Sequence, residues 1–243
     1  MVSKSQTTLI HKLQQKKYRH SLGLFVVEGK KSILEFLNAG FLLEKIFAVN
    51  RFSDLLPEEK LVLTTKNELA GLSSLKNPDD GIAVFHIPKS EPITENGLIV
   101  ALDHINDPGN LGTIIRLCDW FGIRQMLCSA DTVDCYNPKV VQATMGSLAR
   151  INIHYHNLTD FLKNTKLPVI AAVMDGNNAY KTHFPTEAIL LMGNEANGIS
   201  EENLSLITQA VTIPRFGNEQ LAESLNVATA TAILLSEIRR GDS

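Results

Sequence analysis

The sequence contains three cysteines, no C-x-x-C pair and no long apolar run. An odd number of scattered cysteines is not expected to form a disulfide scaffold or a cysteine-rich zinc module. No apolar stretch approaches the ~20 residues that a membrane-spanning helix needs. The opening residues also lack the apolar core of a signal peptide. We therefore expect a cytoplasmic protein that does not associate with a membrane.

Several motifs that carry chemistry on α/β proteins are also absent. There is no G-x-G-x-x-G after an early strand and no G-x-x-x-x-G-K-[ST], which argues against a dinucleotide or P-loop site. Ser147 lies in Met-Gly-Ser-Leu-Ala and not in the G-x-S-x-G turn of a serine hydrolase. His154 and His156 alternate on a predicted strand, but no acidic third ligand accompanies them, so we expect no metal site.

Positive charge is concentrated at the start of the chain, although the whole sequence has a formal net charge of −3. Residues 1–31 contain one acidic residue, Glu28, and seven basic residues: Lys4, Lys12, Lys16, Lys17, Arg19, Lys30 and Lys31. Such a cluster is the electrostatic footprint of a phosphate-binding surface. A solvated, partly frayed terminus has the same composition, so the cluster alone does not identify a partner.

The apolar pattern predicts a small α/β domain followed by a linker. The elements predicted for it are strand 23–29, helix 30–39, strands 45–49 and 61–63, helix 67–75, and strand 82–87. Residues 89–97 are polar and contain a proline and a glycine, a composition typical of a linker. The sequence therefore predicts an N-terminal domain over 1–88, a linker over 89–97 and a second domain over 98–243.

Strands and helices alternate throughout the second domain. The predicted strands are 98–105, 125–129, 151–154, 169–174, 188–192 and 211–213, and the predicted helices are 111–121, 138–149, 159–163, 201–208 and 225–240. Because many of the strands are continuously apolar, they predict a parallel sheet that is covered on both faces. Trp120 and Phe121 end the first of these helices, and we expect both to lie in the core, because Phe121 continues its apolar stripe.

Three loops at the predicted carboxyl ends of strands are rich in glycine and asparagine. This is the edge at which open α/β sheets bind their ligands. The loops are NDPGNLGTIIR over 106–116, GNEANGI over 193–199, and the stretch 214–227, which begins PRFG and ends SLNV. Glycine lets a backbone approach a ligand closely, and asparagine can fix loops or bind ligand edges.

Together the three loops resemble the motifs of the SpoU (TrmH-type) RNA ribose 2′-O-methyltransferases, a family of the SPOUT class. The matching positions are Asn110, Gly112 and Arg116 in the first motif, Gly193, Glu195 and Gly198 in the second, and Ile213, Pro214, Ser224 and Asn226 in the third. FVVEGKKSILEFLNAG near the start also resembles the L30e-like substrate-binding domain of many members. The third motif departs from the pattern, with about three extra residues through Asn218-Glu219-Gln220 and with Arg215 where methionine is common.

The resemblance implies a parallel-sheet methyltransferase domain with a trefoil knot, a homodimer, and S-adenosylmethionine as cofactor. It places the cofactor at Met192, Gly193, Gly198, Ile213, Leu225 and Asn226, and the catalytic site at Arg116, Asn110, Glu195, Ser224 and Asn226. The basic cluster at the start of the chain fits an RNA anchor, so we expect RNA contacts at Lys16, Lys17, Arg19 and Lys30, together with Arg116. Arginine is a poor base, so we expect Arg116 to clamp a phosphate or to stabilise charge on the 2′-oxygen.

The other site residues have roles that the resemblance suggests and plainer alternatives. Asn110 and Ser224 would orient the ribose, Asn226 would support the cofactor loop, and Glu195 would accept backbone N–H groups or hold Arg116. Asn110 and Ser224 could equally be helix caps, Arg116 a solvated charge, and Glu195 a residue that closes a turn.

Three functional hypotheses remain open at this stage. The first is an RNA 2′-O-methyltransferase, for which the N-terminal domain favours ribosomal over transfer RNA. The second is a non-catalytic RNA-binding assembly factor on the same fold. The third is a nucleotide-dependent oxidoreductase, which requires the glycine fingerprint that the sequence lacks.

Overall fold

The computed structural model describes residues 2–75, 78, 81–217 and 224–240. Their contacts divide the chain into two compact units. Unit 1 comprises the residues up to 89 together with 134–150, and unit 2 comprises 90–133 and the residues from 151 onward. The segment 134–150, which the sequence pattern groups with the second domain, therefore packs with unit 1. The limits of the linker at 89–97 stay a prediction.

The order of elements follows the alternation expected from the sequence. The helices are α1 Lys4–Lys12, α2 Lys16–Leu22, α3 Lys30–Asn38, α4 Lys66–Leu72, α5 Pro108–Trp120, α6 Pro138–Thr144, α7 Leu158–Asn164, α8 Glu201–Leu204 and α9 Val227–Arg239. The strands are β1 Leu24–Glu28, β2 Leu43–Ala48, β3 Leu61–Leu63, β4 Gly81–His86, β5 Leu98–Leu102, β6 Gln125–Ser129, β7 Asn152–His156, β8 Val169–Asn178, β9 Ala188–Met192 and β10 Gln209–Thr212. None of the helices in the described ranges is both long and apolar enough to cross a bilayer.

Unit 1 is built on a sheet in the order β1-β4-β2-β3. β4 pairs antiparallel with β1 and β2, whereas β2 and β3 are parallel. Helices α1 and α2 lie within the basic segment and were not predicted, because that segment has few apolar residues. A capping box between Ser3 and Gln6 begins α1, and the buried side chains of Ile10 and Leu13 attach it to the core.

Unit 2 is a six-stranded parallel sheet, in the order β10-β8-β9-β5-β6-β7 within the described residues. This confirms the predicted α/β class with a parallel sheet. β5 and β9 are neighbours, with Leu102 paired to Met192, so their carboxyl ends lie side by side at the centre of the sheet. That register brings the loops 103–107 and 193–199 to one place, which is where a ligand site is expected.

The expectation that Trp120 is a core residue is wrong. The buried face of α5 is formed by residues such as Ile114 and Cys118, and Trp120 lies on another side of the helix with 84% of its surface exposed. Phe121, the next residue, is partly buried. The single tryptophan of the chain is therefore a surface residue.

Candidate functional site

A chain of hydrogen bonds joins all three of the glycine- and asparagine-rich loops in unit 2. The side-chain N–H of Asn110 donates to the Glu195 carboxylate, and its carbonyl oxygen accepts a hydrogen bond of 2.9 Å from the amide of Asn226. The structure thus brings together three predicted site residues that are up to 116 positions apart in the sequence. Asn110 is the central member and connects the other two.

The start of α5 explains why the Asn110 side chain can take this position. Asp107 is the N-cap, because its carboxylate accepts the backbone N–H of Asn110 at 2.8 Å, and Pro108 occupies the first turn. The helix therefore begins three residues earlier than predicted, and the interpretation of Asn110 as the cap is wrong. With the capping role filled by Asp107, the amide of Asn110 bridges the loops.

Arg116 lies two turns into α5 on the exposed side of the helix. Within the part of the chain that the structure describes, its guanidinium makes no hydrogen bond or ion pair. Trp120 follows four residues later, so the two side chains project from adjacent turns of the same helix face. The expectation that Glu195 holds Arg116 is not met, because Glu195 bonds Asn110 instead. Among the described residues, none therefore occupies the guanidinium of Arg116.

The loop 193–199 is folded tightly on itself. Asn194 and Gly198 exchange two backbone hydrogen bonds of 2.9 Å, and the Asn194 side chain accepts the N–H groups of Ala196 and Asn197 at 2.8 and 3.2 Å. A Cβ atom on Gly193 would lie 2.3 Å from the carbonyl carbon of Gly198, so only glycine fits there. This closed turn presents Glu195 at its exposed tip.

Asn226 begins the last helix and contacts the site at the same time. Its side-chain oxygen accepts the N–H groups of Ala228 and Thr229 at 3.0 and 3.1 Å, which makes Asn226 the N-cap of α9. The alternative interpretation of Ser224 as that cap is therefore wrong. Ser224 is exposed two residues before the cap. The predicted insertion Asn218-Glu219-Gln220 lies outside the described residues.

The residues predicted to hold the cofactor differ in burial and in the groups available for contact. The side chain of Met192 is buried, and its carbonyl accepts the N–H of Asp103 at 2.9 Å. Ile213 is partly buried and Leu225 is half exposed. Residues 192–199 and 224–226 contain no cation, and Arg215 lies two residues after Ile213. Backbone groups, apolar side chains and amides suit an uncharged purine nucleoside better than a polyphosphate, so this donor set fits S-adenosylmethionine.

A buried carboxylate at the end of β5 is part of the same edge, and the sequence analysis missed it. Asp103 is 1% exposed and accepts hydrogen bonds from the backbone N–H and hydroxyl of Ser200 and from the amide of Asn203, at 2.8–2.9 Å. Burial alone raises the pKa of Asp103, but these bonds and one with His104 outweigh it and hold the pKa below its ordinary value. An acidic residue directly after a fully apolar strand was the signal that could have indicated it.

The residues predicted to contact RNA in unit 1 fall into two groups. Lys16 and Lys17 are exposed on α2, and Lys30 is exposed at the start of α3. Arg19 is 1% exposed, and its guanidinium pairs with Asp134 at 2.6 Å. It also donates to two backbone carbonyls of unit 1. The donors of Arg19 are therefore used inside the protein, and its assignment to the RNA surface is corrected.

A cleft of about 420 Å³ lies along α1 and α2, beside the exposed lysines. It is lined by Thr7, Thr8, His11, Lys12, Gln15 and Tyr18. The ammonium groups of Lys12 and Lys17 lie 5.4 and 4.7 Å from the centre of the Tyr18 ring. The cleft thus combines cations, hydroxyl groups and an aromatic ring, a set that can contact both phosphate and base or ribose groups of a nucleic acid.

His154 and His156 were considered as a metal pair in the sequence, and His154 is a buried residue. No group of three or more potential ligands is found among the described residues. His154 is 4% exposed, and its Nε2 has no hydrogen-bonding partner there. Burial, reinforced by the neighbouring His156 and opposed by Glu91, lowers the pKa of His154 below its ordinary value of 6.5. Burial therefore favours the neutral form of this histidine.

Two family models match the sequence, one for each part of the chain. The SpoU rRNA Methylase family model matches residues 97–236. The MRM3-like substrate binding domain model matches residues 5–83. The first match contains the three loops that Asn110, Glu195 and Asn226 connect, and the second contains the lysines and the cleft of α1 and α2.

Similar proteins cover nearly the whole chain. The 23S rRNA (guanosine(2553)-2′-O)-methyltransferase RlmP of Bacillus subtilis is 28% identical over 94% of this chain and 93% of that protein. A solved TrmH-family structure from Porphyromonas gingivalis is 38% identical, with a TM-score of 0.92 and 99% of each chain covered. An AdoMet-bound rRNA methyltransferase from Sinorhizobium meliloti is 28% identical, with a TM-score of 0.86 over 99% of this chain and 97% of that one.

Proposed function

The chain belongs to the SpoU rRNA methylase family, and from this premise we propose that it transfers a methyl group from S-adenosylmethionine to a ribose 2′-hydroxyl of RNA. The observation that carries the proposal is the hydrogen-bonded bridge from Glu195 through Asn110 to Asn226, which assembles the three motif loops. Arg116, whose guanidinium bonds none of the described residues, follows Asn110 on the same helix. Ribosomal RNA is the favoured substrate class, because the full-length relative RlmP is named for 23S rRNA.

The cofactor is assigned to the loops after β9 and before α9. The residues that would hold it are Gly193, Gly198, Ile213, Leu225 and Asn226, with Met192 contributing through its backbone. S-adenosylmethionine, when bound, supplies a methyl group already activated by a sulfonium, so the protein needs no further activation of the donor. The AdoMet-bound relative from Sinorhizobium meliloti supports this assignment.

The protein's own residues position the acceptor ribose and stabilise charge on it. Asn110 uses one amide N–H and one lone pair within the site, which leaves its second N–H and lone pair for the ribose. The hydroxyl of Ser224 provides a further exposed ribose contact. Arg116 offers a planar fork of donors to an RNA phosphate or to the 2′-oxygen as it loses its proton. Arginine stays protonated, so the proton passes to water or to a phosphate oxygen.

The basic surface of unit 1 is assigned to the RNA backbone. Lys16, Lys17 and Lys30 are exposed cations, and the cleft beside them contains Lys12 and Tyr18. Contacts of this kind strengthen binding without reading sequence and weaken as salt rises. The match of residues 5–83 to the MRM3-like substrate binding domain model supports the assignment of RNA binding to unit 1.

A homodimer and a trefoil knot complete the proposal. The exposed face of α5 carries Trp120, with 84% of its surface exposed, an apolar side chain that a second copy of the chain would cover. Large, exposed aromatic side chains of this kind are typical anchors of protein interfaces. We propose the knot because the chain belongs to this family, and in a knotted chain the threaded last helix would hold the cofactor loops.

The function is tested first by calorimetric titration of the full chain with S-adenosylmethionine, with NAD as the control ligand. Saturable binding of the first and none of the second is expected. Methylated riboses are then mapped in ribosomal RNA from a strain that lacks the protein, before and after incubation with enzyme and cofactor. New 2′-O-methyl groups in ribosomal RNA support the proposal; absence of cofactor binding even with RNA present indicates a non-catalytic assembly factor.

A further inference from the structure

His104 has an unusual backbone conformation at the edge of the proposed site. It follows Asp103 after β5 and has a φ of +59°, a region that non-glycine residues adopt infrequently. Its side chain is about half exposed. Outliers of this kind persist only where the surroundings fix them, and they concentrate at functional sites. None of the three sequence motifs contains this residue.

Two carboxylates hold the imidazole of His104. Its Nδ1 lies 2.6 Å from the buried carboxylate of Asp103, and its Nε2 lies 3.3 Å from the exposed carboxylate of Asp131. The Nδ1 contact is a hydrogen bond, and the Nε2 contact is a close approach of the second carboxylate. The two carboxylates thus hold the ring from both sides while the backbone of His104 is in the left-handed region.

The backbone of His104 connects this clamp to the loop of Glu195. Its N–H donates to the hydroxyl of Ser129 at 2.9 Å, and its carbonyl accepts the side-chain amide of Asn194 at 2.6 Å. The side-chain oxygen of Asn194 accepts the N–H groups of Ala196 and Asn197, the two residues that follow Glu195. The orientation of one carbonyl thus fixes the turn that carries Glu195.

We propose that His104 is a positioning residue for methyl transfer: clamped by Asp103 and Asp131, it directs its carbonyl to Asn194 and so holds Glu195 in contact with Asn110. The proposal rests on the proposed function, because it assigns a role within that site. His104 itself contacts neither the cofactor nor the ribose. Its effect is on the geometry of the turn, and a displacement of about 1 Å in a catalytic group can lower a rate a hundredfold.

The test compares His104→Gly with the full-length wild type. Glycine adopts positive φ freely, so the variant removes the clamp without adding backbone strain. Hydrogen exchange at the amides of Ala196 and Asn197 is expected to accelerate about tenfold or more. At saturating RNA and cofactor, kcat is expected to fall about tenfold to a hundredfold, with the KM for RNA changed less than threefold. Asp131→Asn keeps His104 and weakens one contact, so intermediate values of both quantities are expected.

His183→Gly is the matched control, since His183 is an exposed histidine in a loop of the same unit. It is expected to change neither the exchange of the 196 and 197 amides nor kcat. Unaltered exchange in His104→Gly overturns the inference, and so does faster exchange with an unaltered kcat. If the wild type transfers no methyl group while the exchange accelerates as expected, the proposed function fails and the tie from His104 to the Glu195 turn stands.

Discussion

Arg116 is the residue on which the proposed chemistry depends most directly. Replacing it by lysine keeps the positive charge but removes the planar fork that matches a phosphate or an oxyanion. We expect Arg116→Lys to lower kcat/KM roughly a hundredfold, the usual cost of losing one well-placed donor to a developing oxyanion. The measurement is steady-state methylation of RNA over a range of pH.

Arg124→Lys provides the matched control, because Arg124 is an exposed arginine of the same unit that lies 3.9 Å from Asp119. It should retain wild-type kcat/KM. Near-normal turnover of Arg116→Lys with an unchanged pH dependence would contradict the role of the fork and would leave Arg116 as a simple charge.

The lowered pKa of His154 makes the free energy of unfolding depend on pH. Burial lowers its pKa below 6.5 in the folded protein, so the unfolded chain takes up a proton first as the pH falls. The contribution of His154 to the free energy of unfolding is therefore constant above about pH 7 and decreases below about pH 6.5. His154→Leu should remove this component. Urea unfolding at pH 5 to 8 measures the difference in free energy of unfolding between wild type and variant. A difference that does not change with pH would contradict the lowered pKa of His154.

At this scale the sequence indicated which residues meet at this edge of the sheet better than it indicated how they interact. Asn110, Glu195 and Asn226 were identified from motif position, yet their mutual hydrogen bonds depend on loops that are distant in sequence. Arg19 was assigned to the surface because its partner Asp134 lies 115 residues away. A local pattern carries no information about such a partner, and this is why the buried arginine could not be distinguished from its exposed neighbours.

At the scale of secondary-structure elements, the loop 193–199 makes a sharp prediction. In Gly193→Ala the new methyl group would collide with the backbone of Gly198, so the turn must rearrange. We expect a loss of about 1–3 kcal/mol in the free energy of unfolding and loss of cofactor binding, measured by denaturant unfolding and by calorimetric titration with S-adenosylmethionine.

Gly71→Ala is the comparison for this change, since Gly71 is in α4 and a Cβ there would meet nothing within 4 Å. It should stabilise the protein by roughly 0.5–1 kcal/mol through helix propensity. Retained cofactor binding and unchanged stability in Gly193→Ala would show that the turn is more adaptable than its contacts indicate.

Apolar periodicity located most strands and helices but not their ends. The core strand β9 has the predicted limits, because its run of buried residues is continuous. α6 ends at Thr144 and not at 149, because Met145 and Gly146 both take positive φ. Strand β8 extends to Asn178, four residues beyond its apolar run. Caps and backbone turns set these limits, and their residues have no periodicity to detect.

At the scale of the whole molecule, one ion pair ties distant parts of unit 1 together. Arg19 and Asp134 are both buried, and removal of one partner leaves the other charge uncompensated. We expect Arg19→Met to lower the free energy of unfolding by about 3–5 kcal/mol. The double variant Arg19→Met with Asp134→Leu should recover much of that loss, because no buried charge remains. Guanidinium unfolding provides the measurement, and equal losses in the single and double variants would contradict this account.

The proposed dimer can be tested by the fluorescence of Trp120, the only tryptophan of the sequence. If a second copy covers Trp120, its fluorescence emission should be blue-shifted at micromolar protein and move to longer wavelength on dilution. Trp120→Ala should weaken the dimer in sedimentation experiments, because exposed aromatic residues at interfaces are frequent hot spots. Leu42→Ala removes a similarly exposed apolar side chain from unit 1 and should have no effect. Emission typical of a solvated tryptophan at every concentration would exclude Trp120 from an interface.

The placement of 134–150 in unit 1 also bears on how such chains can recombine. In that unit α6 packs against β1, and the ring of Tyr136 lies 4.6 Å from that of Phe25. A recombination crossover within 89–97 would take β1 from one parental gene and α6, which packs against it, from the other. A viable chimera must inherit two separated stretches of coding sequence, so we expect units 1 and 2 to have diverged together and not as interchangeable modules.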